Sequence, residues 1–391
     1  MKKGKTYKKK KSTKKRTKRR YNRKSRAVGG TGILLNDTSD VAFDFFMKNS
    51  SFELKSYGSN GITILVTLRT GLESPYKSMD SNNYGSQINS IIIKLIINSV
   101  ILSIIEIDDD SELTSTLLNN VVNESNIQTD IALKTSNYLE PICPSPIYFS
   151  ENISVELLTI IRNNIVDSDS YYETLLTECI NKMIQFLGHL DITKGISVIG
   201  MEMAKDCKSL SSLDDESPQD LKNLYFYMAA YIIIKLAIDT GYAHGDYHTE
   251  NIMINTTKQN YFYGLTGAPL LIDFGYATKI QPDKMNIIKD KYKNKDYVGI
   301  LEEISTIPRR DGKDLRRDDW REFYGYLYRE FNSDANNQID RLFMLREEAI
   351  QNTVTRFEEL HASDPTKPLL PLPKKMRDKM YEGLILSLIQ I

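Results

Sequence analysis

The sequence predicts an α+β fold with a small β-rich N-terminal part and a larger helical C-terminal part. Runs rich in Ile, Val and Thr at 54–68, 91–97 and 196–205 have the composition and length of strands. Longer segments at 224–239, 318–331 and 339–360 show the apolar spacing of helices, and a final apolar helix is predicted after the Pro-rich turn at 369–375. Strands therefore concentrate before residue 205 and helices after it, which predicts two lobes in one chain.

The first 26 residues are strongly basic. They hold 16 of the 51 Lys and Arg and none of the 51 Asp and Glu, so the remaining chain holds 35 basic and 51 acidic residues. A charged run with so few apolar side chains cannot bury enough surface to fold. This predicts a disordered arm with a Gly-rich linker at 1–32, in which residues 2–26 bind nucleic acid, act as a nuclear address or remain a solvated tail.

The first predicted strands follow this arm. Residues 54–68 read as strand, turn and strand, with Gly58 and Gly61 suited to the turn. The next strand, 91–97, carries Lys94 in an Ile-rich run, where a lysine can either protect a sheet edge from aggregation or bind a ligand. We expect no transmembrane segment at 91–107, because polar residues interrupt this apolar stretch.

Insertions separate these strands from the next one. Residues 70–88 form a polar loop, 108–122 carry an acidic run, and 151–190 contain one or two helices by their apolar periodicity. The segment 123–139 has helical character and contains two carboxylates, Glu124 and Asp130.

The segments AHGDYHTENIMI at 243–254 and LLIDFGYA at 270–277 are the most informative. Asp246 supplies a carboxylate and Asn251, five residues on, an amide oxygen. Asp273 adds a carboxylate after an apolar strand, and Gly275 lets the chain turn behind it. Phosphoryl transfer needs an acidic group beside the attacking hydroxyl and oxygen ligands for Mg²⁺. Each motif alone suits an ordinary turn, but their order predicts a phosphotransferase site.

This order of motifs resembles the protein-kinase-like superfamily. The resemblance implies a two-lobed fold, with an N-lobe at 40–204 and a C-lobe at 205–391, that uses ATP and Mg²⁺. It implies that Asp246 is the catalytic base, and that Asn251 and Asp273 are the magnesium ligands. His244 would brace the loop that carries Asp246.

The same resemblance assigns roles upstream. Lys94 would hold the α- and β-phosphates, and Glu124 would position Lys94, with Asp130 as the competing carboxylate. Gly58 and Gly61 match two glycines of the phosphate-covering loop. The strand 196–205 is similar to the hinge, and its residues near adenine would be Met201, Glu202 and Met203.

Three departures from the family bear on the acceptor. Gly245 replaces the arginine that binds the phosphate group of a phosphorylated activation loop. Regulation by phosphorylation of that loop therefore lacks the side chain that would bind the phosphate. His248, which we expect near the chemistry, gives the pattern HGDxHxxN that is frequent among kinases of the aminoglycoside and choline type. No Ala-Pro-Glu follows Asp273. The resemblance as a whole implies a serine/threonine-type protein kinase. These departures favour a small-molecule kinase as an alternative, and the basic arm suggests a weakly active nucleic-acid-binding scaffold as another.

Composition indicates the compartment. Three widely spaced cysteines show no metal-ligand spacing and favour a reducing, intracellular environment. The abundant Ile, Asn, Lys and Tyr, together with the basic arm, resemble kinase-like proteins of giant DNA viruses. That resemblance implies a nuclear, viral-factory or virion location, and the oligomeric state stays open.

Overall fold

The structure is a computed structural model of the 391-residue chain. It describes residues 40–58, 61–77, 87–97, 116–135, 142–150, 153–165, 171–189, 196–204, 206–256, 268–310, 312, 323 and 334–363. The fold is α+β, with a five-stranded antiparallel sheet in the N-terminal part and helices in the C-terminal part. The predicted arm at 1–32, most of the predicted helix at 318–331 and the apolar segment after residue 375 lie outside the described residues.

The N-terminal sheet has the strand order β1-β2-β3-β5-β4. Its strands are β1 (Ser50–Gly58), β2 (Gly61–Leu68), β3 (Ser90–Ile97), β4 (Pro146–Ser150) and β5 (Ile196–Glu202). Alternation in β3 buries Ile91, Ile93 and Leu95 on one face and directs Lys94 to the other. Since β3 lies between β2 and β5, Lys94 does not serve as an edge-strand charge.

Three helices cover the face of the sheet opposite Lys94. They are α1 (Asp40–Lys48), α3 (Val155–Asn163) and α4 (Tyr171–His189). Their apolar residues, including Phe43, Leu158 and Ile180, share one buried core with Phe52 of β1. The sequence predicted one or two helices within 151–190, and the structure has two. Burial of their apolar stripes against the sheet explains their periodicity.

Helix α2 spans Thr116–Thr135 and lies between β3 and β4 in the chain. It starts within the stretch 108–122 that the sequence assigned to an insertion, and it ends before residue 139. Glu124 therefore lies in the third turn of α2, where the helix dipole no longer favours a carboxylate. The helix packs against β4, a central helix and the turn that follows Asp273.

The C-terminal part is built around one buried helix. Its helices are α5 (Leu210–Glu216), α6 (Gln219–Thr240), α7 (Pro282–Lys293), α8 (Tyr297–Ser305) and α9 (Ala335–Ser363). Among the described residues, α6 is the one helix long and apolar enough to cross a membrane, but most of its apolar stretch is buried inside the protein. A buried ion pair of 3.0 Å between Asp239 and Arg346 joins α6 to α9.

Short strands and turns carry the predicted catalytic segments. β6 (Cys207–Ser209), β8 (Ile252–Asn255) and β9 (Ala268–Leu271) form a three-stranded sheet, and β7 (Tyr242–Ala243) pairs with β10 (Thr278–Lys279). Turns of 3-10 helix occupy Thr249–Asn251 and Phe274–Tyr276. The apolar strand expected before Asp273 is thus β9, and β8 follows Asn251 directly. The three cysteines, all within the described residues, form no disulfide.

Candidate functional site

Lys94 lies at the centre of a buried cluster of charged residues. Its Nζ donates to Glu124 Oε1 at 2.9 Å and to Asp273 Oδ1 at 2.8 Å. These residues come from β3, from α2 and from the end of β9, and only 8% of Lys94 and 5% of Glu124 is exposed. The structure thus brings together three of the predicted site residues that lie far apart in the sequence.

Glu124 is the carboxylate that meets Lys94, and Asp130 has other partners. Asp130 pairs with Lys134 at 2.7 Å and accepts a hydrogen bond from the Tyr242 hydroxyl at 3.0 Å. Lys134 also donates to the carbonyl of Thr240 at 3.1 Å. Asp130 therefore helps to fasten α2 to the end of α6 and the start of β7.

The charges of this cluster act on one another. Burial alone would lower the pKa of Lys94, but the charges of Asp273 and Glu124 outweigh burial and raise it, so the ammonium stays charged. Burial also opposes ionisation of Asp273, but Lys94 outweighs it and lowers the Asp273 pKa. For Glu124 burial is the stronger effect and raises the pKa. Two carboxylates therefore share one ammonium, with an excess of negative charge when both are ionised.

Asp246 and Asn251 form the second group. The Asn251 side chain donates from Nδ2 to the carbonyl and to Oδ2 of Asp246, both at 3.1 Å. Because the amide nitrogen makes both bonds, its oxygen Oδ1 is the atom left to meet a cation. The amide of Ile272 donates to the carbonyl of Asn251 at 3.0 Å, which sets Asp273 beside this group.

His244 braces the loop from behind. It is fully buried, and its Nε2 lies 2.8 Å from the carbonyl of Ile272, so Nε2 carries the proton. Burial lowers the pKa of His244 and keeps the ring neutral at pH 7. Its backbone N–H donates to the Tyr247 hydroxyl at 2.8 Å, and its ring packs against Phe274 at 4.8 Å between centroids. His244 thus connects the Asp246 loop to the residue before Asp273 and the residue after it.

An unusual backbone conformation orients the Asp273 side chain. Asp273 has φ 60° and ψ 75°, a left-handed conformation that is uncommon outside glycine, and its Oδ1 accepts from the amide of Gly275 at 3.3 Å. Such conformations are held by their surroundings and cluster at functional sites. Here the bond from Lys94 and the turn 274–276 hold the carboxylate in place.

The glycine hairpin lies at the same end of the sheet as Lys94. Gly58 and Gly61 are the last pair of the β1–β2 ladder, and Lys94 lies opposite Thr63 in the neighbouring strand. Gly61 lies two residues before Thr63 in β2. Since alternate residues share a face, this position is on the same face of the sheet as Thr63 and Lys94. This position agrees with a loop that covers a ligand bound next to Lys94.

The predicted hinge residues continue the same face of the sheet. Ile199 lies opposite Lys94, and Met201 lies opposite Ile92 two residues further along both strands. Met201 is half-buried and receives a contact from Gln128 Nε2 at 3.7 Å. The amide of Glu202 already donates to the carbonyl of Ser145 at 2.8 Å. Met203 directly follows β5 and is half-buried.

His248 has a local structural contact. Its Nδ1 accepts from the amide of Glu250 at 3.3 Å and so caps the turn 249–251. Its carbonyl accepts from the amide of Asn251 at 3.0 Å. Within the described residues, the contacts found for the His248 side chain are with Glu250. The catalytic role of His248 stays a prediction.

Sequence reasoning missed Arg309 and Arg310, which surround Tyr276, and it missed the close contact of Gly245 with the same tyrosine. Gly245 has φ 82°, and a Cβ on it would lie 2.3 Å from the Tyr276 carbonyl oxygen. Arg309 and Arg310, just after α8, also contact Tyr276. A pair of arginines after a helix has no spacing that points to a site more than 30 residues earlier. Only the tyrosine next to Asp-Phe-Gly could have drawn attention to this position.

The site offers oxygen ligands but no complete cage for a metal. Among the described residues, no group of three or more His, Cys, Asp or Glu is arranged to hold an ion. The protein side of a metal site would therefore be the Asp273 carboxylate and the Asn251 amide oxygen.

Comparison with known proteins does not identify the chain. A search with protein-family models found no match, and a search of curated protein sequences found none either.

Proposed function

We propose that this protein is an ATP- and Mg²⁺-dependent phosphotransferase with a two-lobed, protein-kinase-like fold. The observation that carries the proposal is the bonded set Glu124, Lys94 and Asp273 next to the bonded pair Asp246 and Asn251. A buried lysine held between two carboxylates is suited to phosphate oxygens, because it remains charged and has a fixed position.

Magnesium fits the donor set. Mg²⁺ in nucleotide sites commonly binds one or two carboxylates together with substrate phosphates, so the lack of an all-protein cage agrees with this use. Asp273 and Asn251 Oδ1 would hold it, and the excess negative charge around Lys94 favours a cation there. When bound, Mg²⁺ supplies charge neutralisation at the transferring phosphate.

Asp246 would act on the acceptor. Its Oδ2 is held by Asn251, so its Oδ1 can accept the hydrogen bond of an incoming hydroxyl and orient the hydroxyl toward the phosphate. Lys94 would bind the α- and β-phosphates. The Glu202 amide already donates to the Ser145 carbonyl. The Glu202 carbonyl and the backbone of residues 203–204 would therefore form the hydrogen bonds with adenine.

A serine or threonine of a protein is the first acceptor class that we propose. The short chain between Gly275 and α7, which starts at Pro282, favours a second candidate, a kinase for small hydroxyl compounds. Only residues 276–281 lie between them, which leaves little chain for docking a peptide. A substrate panel decides between the two.

The test is transfer from γ-labelled ATP by the full chain to a panel of proteins and small alcohols, with and without Mg²⁺. We expect Asp246→Asn and Asp273→Ala to lower turnover by at least ~100-fold while the far-UV circular dichroism stays unchanged. Asp220→Asn, an exposed change in the first turn of α6, is the matched control. Wild-type turnover in both site variants would refute the assignment.

A further inference from the structure

Tyr276 is held by a segment that lies beyond α8 in the chain. The guanidinium carbon of Arg309 lies 3.4 Å from the centroid of the Tyr276 ring, and Arg309 is only 5% exposed. The amide of Arg310 donates to the Tyr276 carbonyl at 3.2 Å. Gly245 lies against the same carbonyl, where a Cβ would be 2.3 Å from the oxygen. Ring and carbonyl of Tyr276 are therefore both fixed from outside its own turn.

Tyr276 is also coupled to the charged cluster. It ends the turn that begins after Asp273, and the middle residue of that turn, Gly275, faces both carboxylates. A Cβ on Gly275 would lie 3.1 Å from Asp273 Oδ1 and 3.4 Å from Glu124 Oε2. Because the Gly275 amide donates to Asp273 Oδ1 at 3.3 Å, a shift of Tyr276 that moved Gly275 would also move this carboxylate.

Arg310 lies next to the turn 274–276, because its amide bonds to the Tyr276 carbonyl, and its charge acts weakly on Glu124. Burial raises the pKa of Glu124, and the charges of Lys94 and, more weakly, Arg310 act in the opposite direction. When both carboxylates are ionised, Lys94, Glu124 and Asp273 together carry one excess negative charge, which the Arg310 guanidinium offsets only in part. A guanidinium is well suited here because it stays charged at all relevant pH values, and the one on Arg309 can stack on an aromatic ring.

We propose that Arg309 and Arg310 form a clamp on Tyr276 that positions the turn 273–276 and, through it, the Lys94–Glu124 pair. The catalytic consequence of the clamp rests on the proposed phosphotransferase function. The clamp holds the segment after Asp273 through the Arg309 side chain and the Arg310 backbone amide, so this segment needs no phosphate to be ordered.

The first test measures the clamp without ATP. Amide hydrogen exchange in the full-length protein should become about tenfold faster in peptides covering 272–281 when Arg309 is changed to Ala, as expected for loss of a cation–π contact at a buried site. Peptides from α3 and α4 should exchange as before. Arg341→Ala, at an exposed position on α9, is the control. Arg309→Lys retains the charge but not the planar stack and should give an intermediate rate, so it replaces Arg309→Ala if that variant does not fold. Unchanged exchange in 272–281 would overturn the clamp.

The second test measures positioning. Arg310→Gln should lower kcat by about tenfold with a smaller change in KM for ATP, as for loss of a group that acts mainly in the transition state. Arg310→Lys should recover part of kcat, and Arg341→Gln should match the wild type. In a Glu124→Gln background the Arg310→Gln change should have little further effect, because coupled residues are not additive. If Arg310→Gln lowers kcat equally in the wild type and in the Glu124→Gln background, Arg310 does not act through Glu124, and its positioning role is refuted.

The two tests also separate the proposals. If the wild-type protein neither binds nor turns over ATP, the proposed function fails, whereas hydrogen exchange still decides whether the clamp exists. If the wild type is active, unchanged exchange in the Arg309→Ala variant refutes the clamp, and unchanged kcat in the Arg310→Gln variant refutes the positioning role of Arg310. The proposed function stands in both cases.

Discussion

Gly245→Ala is the change for which the structure makes the sharpest prediction. Gly245 has φ 82°, where an alanine costs ~1–2 kcal/mol relative to glycine. Its new Cβ would lie 2.3 Å from the Tyr276 carbonyl oxygen, well inside contact distance. Since the Arg310 amide holds that carbonyl, relief requires a backbone shift, and overpacking of this kind costs ~1–3 kcal/mol more. We expect a total loss of about 2–5 kcal/mol in the free energy of unfolding.

Gly71→Ala is the matched control. Gly71 has φ 88°, close to that of Gly245, but a Cβ there would meet no atom within 4 Å. The same substitution therefore carries the same backbone penalty without the steric overlap, and the change in the unfolded chain is the same for both variants. The difference between the two isolates the contact with Tyr276.

The assay is urea unfolding followed by circular dichroism, with ATP turnover measured on the folded protein. Gly245→Ala should be less stable than Gly71→Ala by about 1–3 kcal/mol, and it should lose turnover because the shift passes from Tyr276 to the turn that carries Asp273. Equal losses of stability in the two variants would show that the Tyr276 carbonyl moves easily and that its close contact with the new Cβ costs no free energy of unfolding.

Three other predictions test regulation, the arm and the core. Phosphatase treatment should leave turnover within a few-fold of the untreated protein, because Gly245 offers no phosphate receptor; a collapse in activity would assign that role to another basic residue. If about half of the 16 basic side chains in the arm contact phosphates, log K for duplex DNA should fall with log salt at a slope of roughly −7, and a chain lacking residues 1–28 should lose this binding but keep turnover. DNA binding that survives the truncation would place any nucleic-acid site on the folded body. Arg346→Met should cost ~3–5 kcal/mol in urea unfolding, because it leaves Asp239 buried without its ion pair; Arg341→Met, at an exposed site, should cost little, and similar losses in the two variants would contradict this reading.

The sequence determined the parts of the site that are local in the chain. Asp246 and Asn251 are five residues apart and bond directly, and Asp273 follows a short strand that pairs with the strand after Asn251. Such contacts depend on turn chemistry and strand pairing over short distances, so spacing predicts them.

Only the tertiary structure decided which distant residues meet. The sequence left Glu124 and Asp130 as alternatives, because both lie on one helix and its rotation depends on packing. The helix starts at Thr116, earlier than predicted, and its packing turns Glu124 to Lys94 and Asp130 to Tyr242. For the same reason, the spacing of residues in the sequence could not predict that Arg309 and Arg310 contact Tyr276. They reach Tyr276 only because α7 and α8 return the chain to the site, and a return over some 30 residues is determined by burial of helix faces and leaves no local pattern.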